Sequence, residues 1–325
     1  MSNKIYNLDI KEKFLSTYEN EQTQNTLKYV FYRSYSAEEL LEKDLYDFTS
    51  DQIKKVIKNT NPHSLVTAKS TTRFITQYIS WAIGEGLRSN LNPLKGLDDS
   101  FYEGLIDKTK KIHYSKEEFI DLLEKLPNAQ DQAFLMLMFH GIIGNKFEEL
   151  RELSYNDIDW NNNKITLRKR NNQIIEVDDV TMRYLENAHK QQVYFTYNEK
   201  NGEHSERELL PNEYIFKSLK SPRAKEGESV TQAVLYTRLT NIKKEFDLEY
   251  LTPNAVKQSG MIFMAVELYN GKRDKLEYED FEKIGKKFDY SMLNNNGYQY
   301  YNTTLMKEFC NSKNSKELYD IEIEY

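Results

Sequence analysis

The stretch LTPNAVKQSG, residues 251–260, places Asn254 and Lys257 three residues apart, just inside a helix entrance marked by Thr252 and Pro253. An amide and an ammonium so spaced face the same way, where they can touch a phosphate, a substrate or nothing. Other basic residues come in short groups. Arg168, Lys169 and Arg170 share the turn of a hairpin, suited to a phosphate contact or to a solvated tip. Lys69 and Arg73 lie four apart on the polar side of one helix, and Arg238, Lys243 and Lys244 follow on another; either set could face DNA or only water. Gln77 and Arg238 carry an amide and a guanidinium, the groups that pair with adenine and guanine, and are the candidates for base readout should the chain bind DNA. His63, His113, His140, His189 and His204 have no metal-ligand spacing, and His140 sits in an apolar helix as a hydrogen-bonded core residue. Neither a metal nor a cofactor is expected.

Composition bounds what these residues can serve. The chain has 325 residues, enough for two domains, with 39% apolar and 30% charged residues. Its 12 Gly and 6 Pro are few, which favours a mostly helical protein. The net charge of −6 argues against nucleic acid unless basic residues gather on one face. Residues 1–112 hold 16 basic against 15 acidic residues and the remainder 29 against 36, so the totals leave that open. The single cysteine, Cys310, excludes an internal disulfide and a cysteine-built zinc site and points to a reducing cytosol. No apolar run approaches ~18 residues, and MSNKIYNLDIKEKF lacks a hydrophobic signal core, so neither a membrane span nor export is expected.

The elements that must position these side chains are legible as periodic segments. Ser36 to Glu39, Thr49 to Gln52 and Ser115 to Glu118 carry the spacing of capping boxes at helix starts. Helical spacing runs over 8–30, 36–46, 50–58 and 64–87, the last with a core-facing stripe of Phe74, Tyr78, Trp81 and Ala82. GEGLRSNLNPL ends this four-helix unit, residues 1–106, and DKTKKIHY, 107–114, reads as a basic linker. A second domain, 115–325, opens with helices over 116–126 and 129–142. Two strands follow, 164–169 and 173–177, joined by RNN. Further helices are expected over 180–194, 229–246, 253–268 and 278–288, with loops near 198–226 and 270–276. The fold class is mostly α with a small β element.

In this order and at these separations, the parts resemble the tyrosine recombinase (phage integrase) family over nearly the whole length. TTRFITQYISWAIGEGLRSNLNPL is similar to the end of that family's helical, SAM-like core-binding domain. GNKFEELRELSYNDID is similar to its central motif, with Glu149, Leu153 and Asp157 at matching spacing. KITLRKRNNQIIEV fits its basic hairpin, where Lys164, Arg168, Lys169 or Arg170 supplies the base. LTPNAVKQSG fits the site of its His-x-x-Arg. GYQYYNTTLM fits the region of its nucleophilic tyrosine, which places Tyr300 or Tyr301 there.

The resemblance also implies what is missing. The family's two arginines fall on Lys146 and Lys257, its histidine falls on Asn254, and its His/Trp site falls in KKFDYSM, without either residue. In that family tyrosine attacks a backbone phosphate held by the two guanidinium forks. Arginine offers a flat bidentate fork where lysine offers a point charge, and an amide cannot exchange protons at neutral pH. Positive charge at 146 and 257 preserves attraction for phosphate while the transition-state clamp is lost. The implied protein binds double-stranded DNA as a catalytically inactive transcriptional repressor that maintains prophage lysogeny in a bacterial cytoplasm, in association with the nucleoid. It is expected to have no membrane partner, and either self-association or a phage regulatory protein as a further one. The two domains are expected to close around duplex DNA as a clamp. An active divergent recombinase, or an architectural factor assisting one, are the alternatives.

Overall fold

The computed structural model describes residues 4–62, 65–89, 91–106, 111–197, 205–222, 224–225, 227–272 and 274–325. The expected linker positions 107–110, His63, His204 and the start of the 198–226 loop lie outside the described residues. Contacts divide the chain into two units, 1–110 and 111–325.

The first unit comprises α1 (Leu8–Leu15), α2 (Glu21–Leu41), α3 (Ser50–Asn59), α4 (Leu65–Gly84) and α5 (Asp99–Glu103). The expected 8–30 helix is two helices, because Asn20 starts α2 by accepting the Thr23 amide at 3.2 Å. The helix then runs straight through Ser36, so no cap forms there. Glu38 in that turn is instead buried against Lys11, whose ammonium also reaches Asp44, at 2.6 and 3.2 Å. The other two capping boxes form at Thr49 and Ser115. Tyr78 and Ala82 of α4 are fully buried among Phe14, Phe31 and Ile53, with Phe74 and Trp81 packed at the margin.

The second unit begins with α6 (Lys116–Glu124) and α7 (Ala129–Phe139), whose side chains are almost all buried. A short α8 (Glu148–Arg151) leads into an antiparallel sheet of β1 (Ile158–Asp159), β2 (Lys164–Leu167) and β3 (Gln173–Glu176), with Ile165 opposite Ile175 on the core side. A 3₁₀ turn, Arg168–Arg170, occupies the expected strand end. Next come α9 (Asp179–Lys190), the hairpin β4 (Val193–Thr196) and β5 (Ser205–Glu208), α10 (Gln232–Glu245), α11 (Pro253–Lys272) and α12 (Tyr278–Lys287). The hairpin β6 (Met292–Asn295) and β7 (Tyr298–Tyr301), then α13 (Thr303–Lys307) and α14 (Ser312–Tyr319), complete the unit.

Two close approaches fix where α11 and α12 lie. α7 packs against both α9 and α11. A methyl group on Gly260 of α11 would run into the Phe139 carbonyl oxygen, so only glycine lets the two helices meet there. A methyl on Gly285 of α12 would lie 2.7 Å from the Tyr301 ring, which therefore packs directly on that helix. His140, at the end of α7, bonds Thr181 of α9 through Nε2 at 2.8 Å and is buried, as a core histidine should be.

Candidate functional site

LTPNAVKQSG opens α11 at the rim of an open pocket of about 320 Å³. Thr252 caps the helix by accepting the Ala255 amide at 3.1 Å, and Pro253 stands at the first position, where its missing N–H costs nothing. Asn254 is exposed at the pocket wall, and Lys257, one turn further, is half-buried beside it. The opposite wall is the turn after α7, with Gly141 and Gly144 both at positive φ. Arg170 from the hairpin turn and Asp289 from beyond α12 complete the lining.

The guanidinium of Arg170 points inward. Its Nε and Nη2 take both carboxylate oxygens of Glu149, Nη2 also donates to the Gly141 carbonyl at 2.6 Å, and Nη1 donates to the Lys287 carbonyl at 3.0 Å. With 7% of its side chain exposed, it is a bidentate, buried ion pair that also caps the end of α12. Gln173 caps the neighbouring carbonyl of Lys286 at 3.0 Å, so the hairpin is tied to α12 at two points. Burial, and then the Arg170 charge, push the Lys257 ammonium below its ordinary pKa, against the opposing pull of Asp289 and Glu149. Its Nζ donates to the Asp289 carbonyl at 3.3 Å.

The structure brings Asn254, Lys257 and Arg170 together and leaves other expected residues apart. Lys146 is exposed on a left-handed turn, φ 52°, and does not line the pocket. Tyr300 and Tyr301 do not line it either. Alternation along β7 sends Tyr301 onto α12, while Tyr300 stacks with Tyr298 at 6.1 Å. The hairpin turn is not a bare basic tip: Arg168 pairs with Asp157 at 2.7 Å, Lys169 with Glu152 at 3.0 Å, and Arg170 with Glu149. Every acid comes from the preceding motif, so the three positive charges are met by three negative ones. Arg168 and Lys169 are about half exposed, and such surface pairs are worth about 0–1 kcal/mol and open readily; the buried Arg170 pair is not of that kind.

One candidate for base readout needs correction. Arg238 is buried on the inward face of α10, donating to Gln130 at 2.9 Å and to the Lys217 carbonyl at 2.7 Å, with its guanidinium over the Tyr194 ring. It cannot enter a groove. Gln77 is half-buried, and its amide oxygen accepts the Tyr18 hydroxyl at 3.2 Å, which leaves the second lone pair of that oxygen for another donor. Lys69 and Arg73 are exposed on α4, Lys69 lying over the Tyr102 ring. Lys243 is half-buried and Lys244 exposed in the last turn of α10.

Sequence reasoning missed Asp289 and the inward turn of Arg170. No periodicity marks either, because their partners lie far off in the chain. Among the described residues no group of three or more His, Cys, Asp or Glu could hold a metal ion, and no helix is long and apolar enough to cross a membrane.

Comparison with known proteins places this geometry. Residues 5–85 match the family model "MrpR, N-terminal core-binding domain", and residues 113–320 match "MrpR, C-terminal catalytic domain". The SPbeta prophage-derived uncharacterized protein YopR of Bacillus subtilis (strain 168) is 30% identical over 276 residues, covering 82% of this chain and 84% of that protein. Among solved structures, the Tn1549 transposon integrase in complex with circular intermediate DNA aligns over 94% of this chain and 95% of that one, at 13% identity and a TM-score of 0.50. A lambda integrase dimer bound to a COC′ core site aligns over 98% and 80%, at 11% identity and a TM-score of 0.47. The architecture is the two-domain tyrosine recombinase fold, a helical core-binding domain followed by a mainly α catalytic-type domain with a small sheet, and the chain belongs to the MrpR family.

Proposed function

We propose that this protein binds duplex DNA without cutting it and acts as a transcriptional repressor that maintains prophage lysogeny. One observation carries the reading: the guanidinium nearest the pocket, Arg170, is consumed by Glu149 and two carbonyls. Lys257 and Asn254 then face the pocket without a guanidinium fork. Loss of one oxyanion-type contact costs about 2.7–4 kcal/mol of transition-state stabilisation, and linked losses do not simply add. A single ammonium still attracts one backbone phosphate, which serves binding and not phosphoryl transfer. The DNA complex of the structurally similar Tn1549 integrase, and the prophage origin of the YopR relative, support the partner and the setting. Phosphate contacts are assigned to Asn254 and Lys257, with Lys69, Arg73, Lys146, Arg168, Lys169, Lys243 and Lys244 as further contacts. Occupancy mapped across the host genome tests the role: binding at promoters whose transcripts rise when the protein is removed supports a repressor. Occupancy confined to attachment-type recombination sites would make it an architectural factor instead.

A further inference from the structure

Asp289 stands where helix stability would not place it. Beyond the last turn of α12, Phe288 caps the helix, and the Tyr290 amide donates back to the Gly285 carbonyl at 2.9 Å. That Schellman-type loop requires a left-handed residue between them, and Asp289 supplies it with φ 46°. Glycine or asparagine meets the same requirement without charge. A carboxylate instead adds to the negative end of the helix dipole, which weakens the helix. The side chain is 66% exposed and accepts no hydrogen bond among the described residues. What it faces is positive charge: Arg170 Nε stands 4.0 Å from its carboxylate, and the Lys257 ammonium is bonded to its own backbone carbonyl. Arg170 is already matched by Glu149. Around the pocket two positive and two negative groups therefore balance, and Asp289 is the one exposed at the rim.

We infer that Asp289 sets the protein's affinity for DNA, as an internal carboxylate that competes with a backbone phosphate for the Lys257 ammonium. The inference rests on the reading that this pocket faces DNA. Phosphate enters by displacing the carboxylate from the field of Lys257, so each binding event is opposed by a charge the chain itself carries. Asp289→Asn removes that charge and keeps a residue suited to the left-handed loop; Asp289→Gly does the same should asparagine disturb the fold.

Dissociation constants of the full chain on target and scrambled duplexes, measured at several salt concentrations in a double-mutant cycle with Lys257→Ala, test the inference. Asp289→Asn is expected to bind both duplexes roughly three- to fivefold more tightly, the scale of one exposed charge interaction. Its salt dependence should steepen, and the gain should largely vanish in the Lys257→Ala background. Unchanged or weaker binding by both Asp289 variants, or a gain that persists in full without Lys257, overturns the inference; a loss on Lys257→Ala alone then leaves the DNA-facing pocket standing. Should Lys257→Ala also leave binding unchanged, both the inference and the DNA-facing pocket fall.

Discussion

At the scale of residues, the chemistry divides between groups that can reach a phosphate and groups the fold has consumed. Lys257 is of the first kind. Lys257→Ala is expected to weaken binding about equally on target and scrambled duplexes and to lower the salt slope by roughly one unit, read from titrations at several salt concentrations. Arg238 is of the second kind, despite a side chain suited to guanine. Arg238→Ala should cost about 3 kcal/mol of stability, because it takes its donor from the buried Lys217 carbonyl and leaves the buried Gln130 oxygen with the Lys217 amide alone. Denaturant unfolding measures this, and the sequence preference of the surviving folded protein should be unchanged. A guanidinium looks the same in sequence whether it faces a groove or a core. Arg238 was legible as a basic residue on a helix; its inward direction was not, because Gln130 and Lys217 lie 108 and 21 residues away.

At the scale of elements, the pocket depends on contacts between segments remote in the chain. The spacing of GNKFEELRELSYNDID and LTPNAVKQSG pointed to the turn after α7 and the start of α11, and both lie beside the pocket. The hairpin's role was not legible in this way, since Arg170 finds its partners 21, 29 and 117 residues off. The β6–β7 hairpin carries a turn signal in Asn296-Gly297, both at positive φ, but its strands alternate little between polar and apolar and are largely exposed, so they give no periodic signal of their own. Between α7 and α9, burial and the nearby Lys287 and Lys116 charges hold His140 down to about 3, with Asp178 opposing them. The folded pKa is below the unfolded one of about 6.5, so the unfolded chain takes up the proton first as pH falls. The stabilising contribution is complete above that value and is lost on going down from pH 6.5 towards 3, at up to about 1.4 kcal/mol per pH unit. His140→Gln should flatten the loss of stability between pH 6.5 and 4.5 relative to the wild type, measured by denaturant unfolding across that range. Parallel curves for the two proteins would contradict the assignment.

At the scale of the whole molecule, the two units each carry their own core. In the proposed clamp both grip the same duplex, so a fragment spanning 1–110 or 111–325 should bind far more weakly than the joined chain, whose second contact is intramolecular. Equal affinity for the 1–110 fragment would remove the clamp. The acidic total does not by itself oppose such binding, which depends on where basic residues gather, as Lys69 and Arg73 do on the exposed side of α4. The central claim is binding without strand cleavage, and a suicide duplex carrying a nick beside the bound site tests it most directly. The full chain should shift this duplex under native conditions and leave no protein–DNA adduct after denaturation, and a Tyr300→Phe, Tyr301→Phe double variant should shift it equally. A covalent adduct formed by the wild type and abolished in that double variant would show an active recombinase and contradict the account.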